Sequence, residues 1–260
     1  MADKDSSDKT DSDTKASAGK SLNEQNWPGL LAITAFNLVV FAVVTATEPK
    51  WFSDLASAWA FLLPAGVGLA MIRVVNGLVN AKNKDHLVFW TWWHPLLTWQ
   101  HPLPGARAFS VHAGSDDRFT EQDVEDKLRT LGVDPETLKS SPAAQNAFWY
   151  RYVFYPLQER PAVQQAARNF LFARDYTAIS FVMLIALGAA GSQVIAPTKW
   201  PLYCGGLLLQ YLLVRWAARN YGIEQVKNAL AAWVNVPAKA GTAPHGNQAF
   251  LLIEVEERGR

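Results

Sequence analysis

Two histidines seven residues apart, His94 and His101, are each followed by proline within the run FWTWWHPLLTWQHPLPG, Phe89 to Gly105. On one face of a helix that spacing could present two imidazoles to a metal. Pro95 and Pro102 break such a helix, and no nearby Cys or Glu completes a ligand set. The structural reading therefore outweighs the ligand reading at both positions. His112, in FSVHAG, is read the same way. Asp116-Asp117 stand beside it in a polar loop, where a solvated turn is the simpler reading. The chain has no P-loop, G-x-G-x-x-G, HExxH or G-x-S-x-G. A single cysteine, Cys204, permits neither an intramolecular disulfide nor a thiol cluster. Neither an enzyme, a cofactor nor a metal is expected.

Polar residues inside apolar runs are more informative, because they are costly in lipid and usually face a bundle interior. Thr34, Asn37, Thr45 and Glu48 share one helical face of the first run. Gly66, Ala70, Arg73, Gly77 and Asn80, flanked by Asn76, form a small-and-polar stripe in the second. Thr34, Asn37, Arg73, Asn76 and Asn80 are the candidate lining of a pore or vestibule, and a ring of Arg73 side chains would favour anions. Gly66, Ala70, Gly188 and Ser192 are read as helix-packing positions, since small residues allow close approach. His94, His101, His112 and Arg174 are the candidate ligand or gating residues.

These residues need elements to hold them. Half of the 260 residues are hydrophobic and 18 % are charged, against about 25 % in soluble domains. Net charge is +1, which gives no sign of nucleic-acid binding. Four runs have the length and purity of membrane spans: Pro28–Thr47, Leu55–Val75, Tyr176–Ala196 and Trp200–Arg215. The aromatic run from Leu87 to Trp99 is about 13 residues, short of the ~17 that the thinnest helical crossing needs. Keeping it out of the membrane also places Lys82 and Lys84, Arg160 to Arg174, and Arg215 to Lys227 on one side, as the positive-inside rule requires. Trp90, Trp92, Trp93 and Trp99 are then interfacial anchors on the inner leaflet.

The expected organisation is a disordered cytoplasmic tail over 1–26, a first transmembrane hairpin over 27–81 and an interfacial aromatic segment over 82–105. A cytoplasmic domain follows over 106–175, then a second hairpin over 176–218. An amphipathic surface helix over 219–236 and a linker with a C-terminal strand over 237–260 complete the chain. Within the soluble part, Thr120, Asp134-Pro135 and Ser141-Pro142 read as helix starts, and Gly132 as a stop. RAFSVHAG alternates enough to suggest a strand, which Phe250–Val255 could pair with. Pro161 starts a helix that nothing interrupts before Gly188. The fold class is thus mainly α and membrane-embedded, with four helices in two pairs flanking a small cytoplasmic α(+β) domain.

Paired spans around a small cytoplasmic domain, together with the stretches HPLPGARAFS and ARNYGIEQVKNALAAW, resemble the multi-pass membrane effectors of bacterial anti-phage systems, including the channel-forming effector of the Hailong type. The resemblance covers most of the chain after Trp27. It implies a gated channel that depolarises the cell under control of a cytoplasmic ligand. The expected setting is the inner membrane, with both termini cytoplasmic. The expected partners are the lipid bilayer, further copies of the chain and a cytoplasmic ligand or regulatory protein. A non-conducting scaffold or regulatory subunit that docks a cytoplasmic partner is the alternative.

Overall fold

The computed structural model describes residues 22–46, 80–89, 103–114 and 116–236. The second apolar run with Gly66, Ala70, Arg73 and Asn76 lies outside them. So do Trp90, Trp92, Trp93, His94, Trp99 and His101, and the expected strand at Phe250–Val255. The chain divides into two compact units. One takes residues up to Lys84 and Leu171–Arg215; the other takes Asp85–Phe170 and the residues from Trp216 onward.

The first unit is built from α1 (Leu22–Ala46), the start of α2 (Ala81–Phe89), most of α6 (Pro161–Val194) and the first half of α7 (Trp200–Val234). Two helical stretches, Glu24–Thr45 and Pro161–Val194, are long and apolar enough to cross a membrane. Only 22 % of the most apolar window of the first is buried, and 44 % of the second, whereas a soluble core helix is mostly buried. Phe36, Val39 and Val43 on α1, Ile185 on α6, and Leu202, Leu209 and Leu213 on α7 remain exposed. The inward face of α1 carries Asn26, Leu30, Thr34, Asn37 and Thr45 at helical spacing. Gly29 admits the Phe172 ring, which lies 2.9 Å from where a Cβ would stand. Pro197 has no N–H to continue α6, and a tight turn closed by the Lys199 and Trp200 amides on the Ala196 carbonyl starts α7. The hairpin is pinned there by the Trp200 Nε1–H, which donates to the Gly188 carbonyl at 2.8 Å.

The second unit is helical, and the described residues contain no strand. α3 (Glu121–Thr130) opens with a capping box between Thr120 and Asp123. It closes on Gly132, whose φ of 73° favours glycine, with the Val133 amide reaching the Leu128 carbonyl at 3.0 Å. Asp134 and Ser141 cap α4 (Pro135–Ser140) and α5 (Pro142–Phe148), each with proline in the first turn. α5 runs on through a π-helical stretch, Trp149–Phe154, and a last α turn, Tyr155–Leu157. That wider turn brings Trp149 and Phe154 into a stack with ring centres 5.2 Å apart. Phe109, Leu128, Leu138, Phe148, Trp149, Val153, Val226, Leu230 and Trp233 form the core.

Two expectations change. The strand expected at Ala108–His112 is a π-helical turn, preceded by a 3-10 turn at Pro104–Arg107. Alternation fails because Ala108 and Phe109, adjacent in sequence, are both fully buried. The N–H groups of Phe109 and Ser110 both donate to Gln145 Oε1 at 3.1 Å, so no strand partner is needed. The stretch 219–236 is the C-terminal half of α7, not a separate surface helix. Its apolar residues Val226, Ala229, Leu230 and Trp233 are used by the core of the helical unit.

Gln145 is 1 % exposed and also donates to the Lys139 carbonyl at 2.9 Å, so it ties three backbone groups. Replacing Gln145→Leu strands two amides and a carbonyl and is expected to cost about 2–4 kcal/mol in denaturant unfolding. A loss under about 0.5 kcal/mol would show that the turn at Ala108–His112 does not depend on it.

Candidate functional site

Asn80, an expected lining residue, is exposed and precedes α2, where it acts as a cap: its Oδ1 accepts from the Asn83 amide at 2.8 Å. One turn on, the side chain of Lys84 turns inward and is only 4 % exposed. Its Nζ donates to Asp175 Oδ1 at 3.1 Å. The Nε and Nη2 of Arg174 reach the same oxygen at 3.3 Å. Asp175 is 1 % exposed, and its Oδ2 has no hydrogen-bond partner. No charged residue follows Asp175 in α6, and the next in the sequence is Lys199, beyond its end. The cluster therefore stands where the charged part of α6 gives way to its apolar part.

Taking ions of this size out of water costs several kcal/mol each, and the pairing repays that only with good geometry. Here three contacts converge on one carboxylate oxygen and leave the other unserved. The pair contributes little net stability, yet losing one partner strands a buried charge. It behaves as an electrostatic tie across 91 residues of sequence.

The three polar residues in the apolar part of α1 satisfy themselves. Thr34 Oγ1 donates to the Leu30 carbonyl at 2.7 Å and Asn37 Nδ2 to the Ile33 carbonyl at 2.9 Å. Thr45 bonds the Phe41 and Ala42 carbonyls in the same way. All three are buried within the unit. Gly188 is buried against Cys204 Sγ, 3.6 Å from an added Cβ, while Ser192 is exposed and donates to the Ala189 carbonyl. The close approach to Trp200 is made by Gly191, whose Cβ would meet the indole at 3.3 Å. Gln210 on α7 donates to the Tyr176 hydroxyl at 3.0 Å.

In the helical unit, His112 ends the π turn and is half-buried. Burial pushes its pKa down to about 4, aided by the positive charges of Lys227, Arg107 and Arg219. The imidazole is neutral at pH 7. An open cleft of about 430 Å³ is lined by Asp116, Arg118, Asn220, Ile223, Glu224, Lys227 and Asn228. Arg118 grips Asp116 through two bonds of 2.8 and 2.7 Å and donates to Asn228 Oδ1 at 2.6 Å. Its hydrogen bonds hold the Asp116 carboxyl down at about pKa 2. Among the described residues, no group of three His, Cys, Asp or Glu converges to hold a metal.

Of the candidate gating residues, Arg174 joins the ion cluster and His112 the cationic patch of the other unit. Lys84 and Asp175 were legible only as flanking charges. Asp175 was the available clue, an acid directly beside Arg174 and immediately before an apolar run.

Asp175→Leu strands both Lys84 and Arg174 and should lower the thermal stability of the purified protein by the equivalent of about 3–5 kcal/mol; Lys84→Met should cost less, because Arg174 still reaches Asp175 Oδ1. The double substitution should cost less than the sum of the two; strictly additive losses would show that the two charges do not act as a pair. For His112, the folded pKa lies below the unfolded 6.5, so its contribution is intact above pH 6.5 and is lost as pH falls toward 4. His112→Gln should flatten the stability profile over that window, and an unchanged slope would rule out His112 as its source.

Comparison with family models, with curated proteins and with solved structures finds no match for this chain.

Proposed function

We propose that the protein is a multi-pass inner-membrane protein that works as a homo-oligomeric gated channel or pore-forming effector, controlled from its helical unit. The observation that carries the reading is the buried Lys84–Asp175–Arg174 cluster at the edge of the apolar part of α6. Ionisable groups at such a depth are costly, and where they persist they mark a path or a switch. The tie joins α2, which follows the second apolar run in sequence, to α6, so releasing it frees one helix relative to the other.

Four spans are proposed: α1, the run Leu55–Val75, the apolar part of α6 and the charge-free part of α7. The N- and C-termini are then cytoplasmic. α6 and α7 are each unbroken over about 50 Å at 1.5 Å per residue. Each supplies residues to both units, so a ligand-induced shift of the helical unit has a direct mechanical route. Thr34 and Asn37 are bonded within their own helix, which leaves Arg73 and Asn76 as the residues proposed to line the path between subunits. The resemblance to Hailong-type effectors agrees with control by a cytoplasmic ligand.

A second reading, a non-conducting scaffold that docks a partner through the helical unit, is favoured by one observation. Thr34, Asn37 and Thr45, the polar residues in the apolar part of α1, are all buried.

Planar-bilayer recording of the purified protein separates the two. Discrete conductance that changes ion selectivity with Arg73→Ala and falls with Asn76→Leu supports the channel. Absence of current under all ligand and voltage conditions, with a monomeric mass in detergent, supports the scaffold.

A further inference from the structure

The chain uses only part of the Gln210 amide on α7. One N–H goes to the Tyr176 hydroxyl at 3.0 Å. The other N–H and the Oε1 make no hydrogen bond among the described residues. The side chain is half-buried, so both groups stay reachable from outside the chain. Gln210 stands within the charge-free stretch 200–214, about 7 Å short of Arg215 at 1.5 Å per residue. On the reading that this stretch crosses the bilayer, the surrounding hydrocarbon offers neither donor nor acceptor, and an open amide there is costly.

The neighbours of Gln210 along the helix leave room for a second backbone. Leu202, Gly206, Gln210 and Leu213 follow one another at steps of four, four and three, so they form one stripe along α7. Leu202 and Leu213 are exposed. A Cβ on Gly206 would meet nothing within 4 Å, so no contact among the described residues calls for glycine there. Glycine weakens a helix relative to alanine, and its use on an outward face is to let another helix come close.

We propose that this stripe of α7 is the contact between two copies of the chain, joined through their Gln210 amides. Copies in one membrane share an orientation, so a twofold axis along the membrane normal sets each residue against itself at its own depth. A primary amide has two N–H donors and one acceptor oxygen. With one donor given to Tyr176, each Gln210 keeps one N–H and one oxygen. An identical amide complements that remainder: each N–H donates to the other copy's Oε1. Gly206, one turn away, lets the helices approach, and Leu202 and Leu213 close the seam on either side. A lipid tail or an aliphatic helix would cover the leucines and the glycine but leave the amide unserved. The contact rests on the homo-oligomeric, membrane-spanning part of the reading above and is independent of conduction.

The test uses the full-length protein carrying Cys204→Ala, so that an introduced cysteine is the only one. In vesicles oxidised with copper phenanthroline, Leu213→Cys should give a disulfide-linked dimer. Leu208→Cys, exposed on the far side of α7 from Gln210, should not. In micelles, sedimentation equilibrium should show Gln210→Leu weakening the dimer about tenfold. Gly206→Leu, whose side chain enters open space, should weaken it at least as much, and Leu208→Ala should leave it unchanged. An oligomeric mass that neither Gln210→Leu nor Gly206→Leu alters overturns the α7 contact and leaves the homo-oligomer standing. An equally strong cross-link from Leu208→Cys does the same. An oligomer with no Leu213→Cys cross-link overturns it in favour of lipid, or another segment of the same chain, on the stripe. A monomeric mass at every concentration overturns the homo-oligomeric reading and this contact with it. Release from vesicles by carbonate overturns the spanning reading.

Discussion

A single carboxylate oxygen carries the central constraint of the first unit. Asp175 Oδ1 receives Lys84 from α2 and Arg174 from its own helix, in surroundings that exclude water from both oxygens. Such an arrangement is a poor way to gain stability, since apolar residues of similar volume fill the same space without the desolvation cost. What it provides is discreteness. A packed aliphatic contact can slide by fractions of an ångström, whereas a buried ion pair is either closed or open to a competing solvent. Around it the unit is assembled from contacts of the ordinary kind: Gly29 against Phe172, Gly188 against Cys204, and Trp200 bonded to the Gly188 carbonyl.

The helical unit solves a different problem. Its π-helical turns at Ala108–His112 and Trp149–Phe154 widen the backbone where bulky rings must be accommodated. Gly105 sits against the Trp149 ring, where an added Cβ would be 2.8 Å from Cε3. Gln145 supplies the hydrogen bonds that the irregular turn lacks. Phe109, Phe148 and Trp233 then meet edge to face around the core. Irregular backbone and a buried amide are thus two parts of one solution, the second satisfying what the first leaves open.

Much of the local structure was legible in the sequence, because caps and breakers act through nearest neighbours. Thr120, Asp134, Ser141 and Gly132 bound their helices where their chemistry requires, and the helix from Pro161 runs without interruption. The π turns were not legible, since i to i+5 bonding has no residue signature of its own and depends on which rings are packed nearby. The alternation in RAFSVHAG misled because Ala108 and Phe109, adjacent in sequence, are both buried, a pattern that a period of two does not describe. The Lys84–Asp175 tie was hidden by its separation in sequence, although each residue was individually conspicuous as a charge at the edge of an apolar run. The described residues of the candidate site were assigned to faces from spacing. Thr34 and Asn37 lie on the inward face of α1, but their side chains bond their own helix, which spacing does not reveal.

The shared use of α7 bears on how the molecule is made. Val226, Leu230 and Trp233 belong to the core that Phe109 begins, more than a hundred residues upstream, and Phe148 extends. The ribosome must therefore release the whole apolar hairpin of α6 and α7 before that core can be completed. Until then, the earlier helices of the unit have an open apolar face. Assembly is gated by chain order: the core of the helical unit closes last, after the apolar stretches of α6 and α7 have emerged.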